Sequence, residues 1–228
     1  DGGIIAQFEG YDRLAELDWD AYRAKYADIQ RLDRILDAEG DTVNRYKASK
    51  QADVLMLFYL FSYDELHDLI TSLGYPFEPD LLRNNIAYYV RRTSDGSTLS
   101  RVVHSWVLAR GDRARSWSLF AEALESDVAD IQGGTTMEGV HLGAMAGTVD
   151  LVSRGQTALE FRDDALWLNP CLPTELQGHR MKLLYHGNWL YLDISCDRLI
   201  LSAPNGWGGP SRIGVRNQVH SFKAGDVL

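Results

Sequence analysis

Gly133-Gly134-Thr135-Thr136-Met137-Glu138-Gly139-Val140-His141-Leu142-Gly143-Ala144-Met145-Ala146-Gly147 is the stretch from which the rest of this chain is read. Paired glycines let the backbone turn tightly and let a ligand come close. Thr135 followed by Glu138 has the spacing of a capping box, which predicts a helix over residues 136–152. The first turn of such a helix carries unpaired N–H groups and the positive end of the helix dipole. The hydroxyls of Thr135 and Thr136 beside those amides make a candidate anion seat, and His141, about a turn and a half inside, adds a donor. A well-capped helix with a packed histidine is the other reading, and spacing alone does not separate them. Gly139, Gly143 and Gly147 recur every fourth residue. A helical glycine costs about 1 kcal/mol relative to alanine, so the repeat predicts close approach of a neighbouring helix.

Working outward, apolar residues upstream recur at helical spacing. Residues 20–39 form an amphipathic stripe that ends at Gly40, and residues 45–61 form a second helix whose last turns are apolar all round. Shorter helices are predicted over 63–73, 79–92, 97–110 and 116–129, separated by glycine-bearing breaks. Downstream of Asp163 the texture becomes strand-like, with strands expected over 165–168, 181–185, 189–195, 198–203 and 213–222. About seven helices followed by five strands predict a mainly α chain with a small β appendage, divided into residues 1–162 and 163–228.

Two further segments carry candidate chemistry. In Arg92-Thr93-Ser94-Asp95-Gly96-Ser97-Thr98-Leu99-Ser100 a glycine precedes a hydroxyl-rich helix start, which serves an anion or ordinary capping by Ser97 equally well. Lys50-Gln51-Ala52-Asp53 lies on the second predicted helix, where a lysine and a glutamine are costly unless hydrogen-bonded. A polyhydroxylated ligand would satisfy them, and so would a buried ion pair with Asp53 or another acid.

Composition removes several classes. The 228 residues carry a net charge of −9, with a pI near 5.1, which argues against nucleic acid and anionic membranes as partners. The longest apolar run, residues 54–61, is too short to span a bilayer. Two cysteines, Cys171 and Cys196, give no disulfide framework and no thiolate metal site, and a cytoplasmic home is expected. The six histidines show no metal-ligand spacing, and no dinucleotide or P-loop glycine pattern occurs, so neither a metal nor a cofactor is expected. The opening residues 1–6 lack the regions of a secretion signal and an initiator methionine, and the expectation is a fragment of a longer chain.

Lys50-Gln51-Ala52-Asp53, Arg92-Thr93-Ser94 with Gly96-Ser97, and the Gly133–Gly147 stretch together resemble glycoside hydrolase family 65. Gln7-Phe8-Glu9-Gly10 and Leu166-Trp167-Leu168-Asn169-Pro170 resemble it as well, and the likeness runs through essentially the whole chain. The family contains inverting phosphorylases of trehalose, maltose, kojibiose and related α-glucosides. The resemblance implies late helices of an (α/α)6 barrel followed by a small C-terminal β-sheet domain. It implies that Lys50 and Gln51 hydrogen-bond the glucose being transferred. It implies that Ser94, Gly96, Ser97, Thr135, Thr136 and His141 hold phosphate, the co-substrate. Asp95 stands where many relatives carry histidine, and the family's general-acid glutamate falls upstream of this chain. The implied partners are an α-glucose disaccharide, phosphate, the missing N-terminal part and further copies of the chain. Hydrolysis by a carboxylate-activated water, and an inert fragment, are the competing readings.

Overall fold

The computed structural model describes residues 3–26, 28–131, 134–162, 164–204, 211–216, 218–223 and 226. Gly133, the first glycine of the quoted stretch, and Asp163 lie outside the described residues. The chain divides into two compact units, Asp1–Thr148 and Val149–Leu228. Its architecture is mainly α followed by a small β domain, the class expected. Among the described residues, no helix is long and apolar enough to cross a membrane.

The first unit is built from α1 (Trp19–Tyr26), α2 (Leu32–Ala38), α3 (Asp53–Leu60), α4 (Tyr63–Ser72), α5 (Leu81–Val90), α6 (Thr98–Leu108), α7 (Arg113–Glu125) and α8 (Leu142–Asp150). Most ends have a local cause. Ser62 and Glu65 complete a reciprocal capping box at the start of α4, and Ser97 and Asp112 accept backbone N–H bonds at the starts of α6 and α7. Leu55, Phe58, Leu66, Leu81, Tyr89, Val90 and Val103 form the main core between α3, α4, α5 and α6. Helices α6 and α7 come together through small residues. The Ser105 hydroxyl donates to the Ser116 carbonyl (2.9 Å) and the Ser116 hydroxyl donates to the Ser105 carbonyl (2.6 Å).

Three helix predictions need correction. The stripe over 20–39 is two helices, because the Asp28 carboxylate accepts the Gln30 N–H (2.8 Å) and offers the backbone a turn instead of a helical bond. The helices then fold together, with Tyr22, Lys25 and Tyr26 all donating to Glu39. The helix predicted over 45–61 begins only at Asp53. Residues 46–49 are drawn out because Lys47 N–H donates to Ala15 (2.8 Å) and Ser49 N–H to Arg92 (3.1 Å). The helix predicted over 136–152 is a 3-10 turn, Thr135–Glu138, then a break, then α8. Gly139, at φ 133°, ends the turn, and the Thr135–Glu138 capping box does not form.

Of the three spaced glycines, one has the close approach predicted. A Cβ at Gly147 would lie 2.6 Å from Val102 Cγ1 on α6, whereas one at Gly143 would meet nothing within 4 Å.

The second unit holds two sheets. One has the order β1 (Glu160–Arg162), β2 (Ala165–Leu168), β6 (Ser211–Val215), β7 (Gln218–Phe222), with β2 and β6 parallel. The other is an antiparallel meander of β3 (Gly178–Tyr185), β4 (Asn188–Ser195) and β5 (Leu199–Ser202). Alternation along β4 buries Leu190, Leu192 and Ile194 against Leu166, Leu168, Ile213 and Phe222 in one shared core. The run expected as a single strand over 213–222 lies in two strands, β6 and β7, because Arg216 turns out of the strand at φ 46°.

The glycine contrast is measurable. Gly147→Ala is expected to lower stability by about 1–3 kcal/mol through overpacking against a β-branched neighbour that cannot swing aside. Gly143→Ala is expected to leave stability unchanged or raise it by up to about 1 kcal/mol. Urea unfolding of the two variants distinguishes the sites, and equal losses at both would contradict the assignment.

Candidate active site

The extended segment before α3 is the foundation of the site. It lies parallel to the chain after α5, with Ser49 paired to Thr93, Ser49 N–H donating to Arg92 O (3.1 Å) and Ser94 N–H donating to Ser49 O (2.9 Å). Gln7 ties the same segment down, its amide donating to the Ser49 hydroxyl (2.7 Å) and its carbonyl oxygen accepting the Asp53 N–H (2.9 Å). Ser100, inside α6, donates its hydroxyl to the Lys50 carbonyl (3.1 Å). Lys50 and Gln51 are therefore fixed by backbone pairing in front of α3. Lys50 is exposed and makes no ion pair with Asp53 among the described residues, so the buried-pair alternative is not what the fold adopts.

Gly96 connects this segment to the turn before α6. A Cβ there would lie 2.2 Å from the Gln30 carbonyl oxygen and 3.0 Å from Lys50 Cγ. The Gln30 carbonyl leaves room only for a residue without a side chain, and the Lys50 stem lies against the same position. Ser94 is buried, with its hydroxyl 3.5 Å from the same Gln30 carbonyl, and Ser97 caps α6 by accepting the Leu99 N–H (3.3 Å). The fold thus brings Lys50, Ser94, Gly96 and Ser97 together.

Asp95, the acid within this turn, sits at φ 54° with Oδ1 2.9 Å from Nδ1 of His104. The His104 side chain is 1 % exposed. The approach is off the line a hydrogen bond needs, and both atoms are without a hydrogen-bond partner among the described residues. The contact is a close charge-to-ring approach on the buried side of the turn. Arg101, on the same face one turn earlier, donates Nε–H to Glu122 of α7 (3.1 Å).

The segment between α7 and α8 is organised by two aspartates that sequence reading missed. Asp130 accepts the N–H of Gly134 at 2.6 Å and of Thr136 at 3.3 Å. Asp127 accepts the His141 backbone N–H at Oδ2 (2.9 Å), while its Oδ1 lies 2.6 Å from His141 Nδ1. The Thr136 hydroxyl donates to the Asp127 carbonyl (3.2 Å). Two amides expected to face an anion are thus already bonded to a carboxylate, and His141 precedes α8 instead of lying inside it. What this segment leaves for a ligand is the Thr135 hydroxyl and the outer edge of the His141 ring. The available signal was the pair Asp127 and Asp130, three residues apart just before a glycine turn, where short carboxylates capture loop amides.

Both carboxyls are held below the usual carboxylate range, Asp127 chiefly by the His141 side chain and Asp130 chiefly by the Gly134 amide. Helices α6 and α8, each following one of the two loops, meet at Val102 and Gly147. Among the described residues, no hydrogen bond joins the 94–97 turn to the 134–141 loop.

Comparison with known proteins follows this geometry. Residues 1–150 match the glycosyl hydrolase family 65 central catalytic domain, and residues 159–222 match the glycosyl hydrolase family 65 C-terminal domain. The chain belongs to glycosyl hydrolase family 65. An uncharacterized glycosyl hydrolase of Mycobacterium tuberculosis is 52% identical over 99% of this chain, which spans 17% of that protein's length. Trehalose 6-phosphate phosphorylase of Lactococcus lactis is 36% identical over 89% of this chain and 26% of its own length. A solved structure, a putative kojibiose phosphorylase from the human microbiome, superposes on the whole chain with a TM-score of 0.77 at 22% identity, over 29% of its own length.

Two outcomes check the site. Gly96→Ala is expected to displace the turn and to destabilise by about 1–3 kcal/mol, because its Cβ would meet a backbone carbonyl that cannot swing away. Loss of at most a few tenths in urea unfolding would contradict the close approach. The depressed carboxyls of Asp127 and Asp130 contribute loop stability that is present above the unfolded value, near pH 4, and disappears as pH falls through the lower folded values. Hydrogen exchange of the Gly134 and His141 amides is expected to stay protected down to about pH 4 and to open below it.

Proposed function

We propose that this chain is the C-terminal portion of an inverting glycoside phosphorylase. It would cleave an α-linked glucose disaccharide with inorganic phosphate to give β-glucose 1-phosphate, with no other cofactor. Residues 1–162 supply late helices of the catalytic barrel, residues 163–228 supply the C-terminal domain, and the enzyme works in the cytoplasm. The carrying observation is the seating of the Lys50 stem on Gly96. With Lys50 read as the donor to sugar and residues 94–97 as the anion seat, it supports the juxtaposition that an attack of phosphate on glucose requires.

In the reaction, a protonated glutamate from the upstream part donates to the glycosidic oxygen. Phosphate attacks the anomeric carbon from the opposite face through an oxocarbenium-like transition state. Lys50 and Gln51 bind the glucose hydroxyls. Ser94, Gly96, Ser97, Thr135 and His141 hold the phosphate, with hydroxyls and an imidazole suited to an oxyanion, while Thr136, whose amide and hydroxyl are bonded to Asp130 and Asp127, shapes the loop. Hydrolysis would instead need a carboxylate free to activate water. Asp95 faces His104, which favours phosphate as the nucleophile, and Glu138, exposed at the end of the 3-10 turn, is the carboxylate through which hydrolysis would have to run.

The chain leaves Val128, Met137 and Leu142 exposed around the 134–141 loop, surface that suits the remainder of the barrel or self-association.

In the enzyme that contains this chain, glucose 1-phosphate formation is expected to require phosphate. Glucose release at the same rate without phosphate would reject phosphorolysis. Lys50→Ala removes a charged donor to the sugar and is expected to lower kcat/KM for the disaccharide about 10- to 100-fold, from about 1.5–3 kcal/mol per such bond.

A further inference from the structure

We infer that Asp127 is a positioning residue that holds the His141 ring with Nε2 turned to the phosphate. The inference rests on the phosphorolysis reading above and assigns a role to a residue outside the ligand-contacting set. The Asp127 carboxylate sits under the loop, 8 % exposed, and both of its oxygens engage the same residue. One fixes the backbone of His141 at 2.9 Å and the other its ring at 2.6 Å. Two contacts to one residue fix both where the ring stands and how it is turned. With Nδ1 engaged, Nε2 is the ring atom left for a ligand, and the side chain is 30 % exposed.

The carboxyl of Asp127 is held below the usual range chiefly by this ring, as for a group that stays ionised against it. Asp130 and Thr136 hold the rest of the loop through backbone bonds, so the orientation of the ring depends on Asp127.

The test uses Asp127→Asn, which keeps size and loses charge, in the enzyme that contains this chain. Phosphate KM is expected to rise at least tenfold while disaccharide KM stays within twofold. His141→Gln is expected to give a similar rise, and the double variant no more than either alone, as for two residues acting as one unit. Asp127→Glu, which keeps the charge, is expected to recover part of the loss. Ring 15N spectra of His141 give a second reading. They are expected to show Nδ1 protonated in the wild type and mixed tautomers in Asp127→Asn. An unchanged phosphate KM, additive losses in the double variant, or an unchanged ring spectrum would overturn the positioning role. Phosphate-independent turnover by the wild type would instead reject the phosphorolysis reading itself, so the two failures are distinct.

Discussion

The pairing of residues 49 and 50 with the chain around residues 92–100 is the interaction on which the site depends. Backbone bonds from Ser49 to Arg92 and from Ser94 to Ser49, with the Ser100 hydroxyl on the Lys50 carbonyl, hold two distant pieces of sequence in register. Backbone groups in such a place must find partners, and here they find each other. Helix α3 cannot start earlier as a result, and Lys50 emerges at its entrance beside Gly96. Without that pairing the lysine would lie on an ordinary helix face, far from any loop fit for an anion.

A chain with a net charge of −9 carries acids in both candidate loops, and the fold engages three of them from within. Asp95 faces the buried ring of His104, Asp127 is bonded twice to His141, and Asp130 takes the Gly134 and Thr136 amides. Each carboxylate thereby shapes a loop. Helix α6 ties these features to the core, meeting α7 through Ser105 and Ser116 and α8 through Val102.

Much of the architecture was legible in the sequence. Residues 63–73 and 97–110 read as helices because apolar periodicity and capping residues agree, and α4 and α6 form there. Strands β3 and β4 follow the period-2 alternation that buries one face of a sheet, and β2 and β5 form from short apolar runs. The failures lie where a polar side chain or a distant backbone outbids the helix. Asp28 breaks the stripe over 20–39, pairing with Ala15 and Arg92 shortens the second helix, and Asp127 and Asp130 unwind the predicted start before α8. Local propensity sees only neighbours in sequence, and each of these bonds sets a carboxylate or a remote carbonyl against a helical one.

The amino-acid order alone determined the two-part organisation, the order of elements and the family resemblance, because periodicity, caps and glycine spacing are properties of neighbouring residues. Tertiary structure decided that Lys50 meets Gly96, that the Gly134 and Thr136 amides are already occupied, and that His141 is gripped by Asp127. The first depends on which groups approach after the chain has folded back on itself, which no local pattern encodes, and the other two were foreshadowed only by two aspartates before a glycine turn, whose partners the folded loop selects.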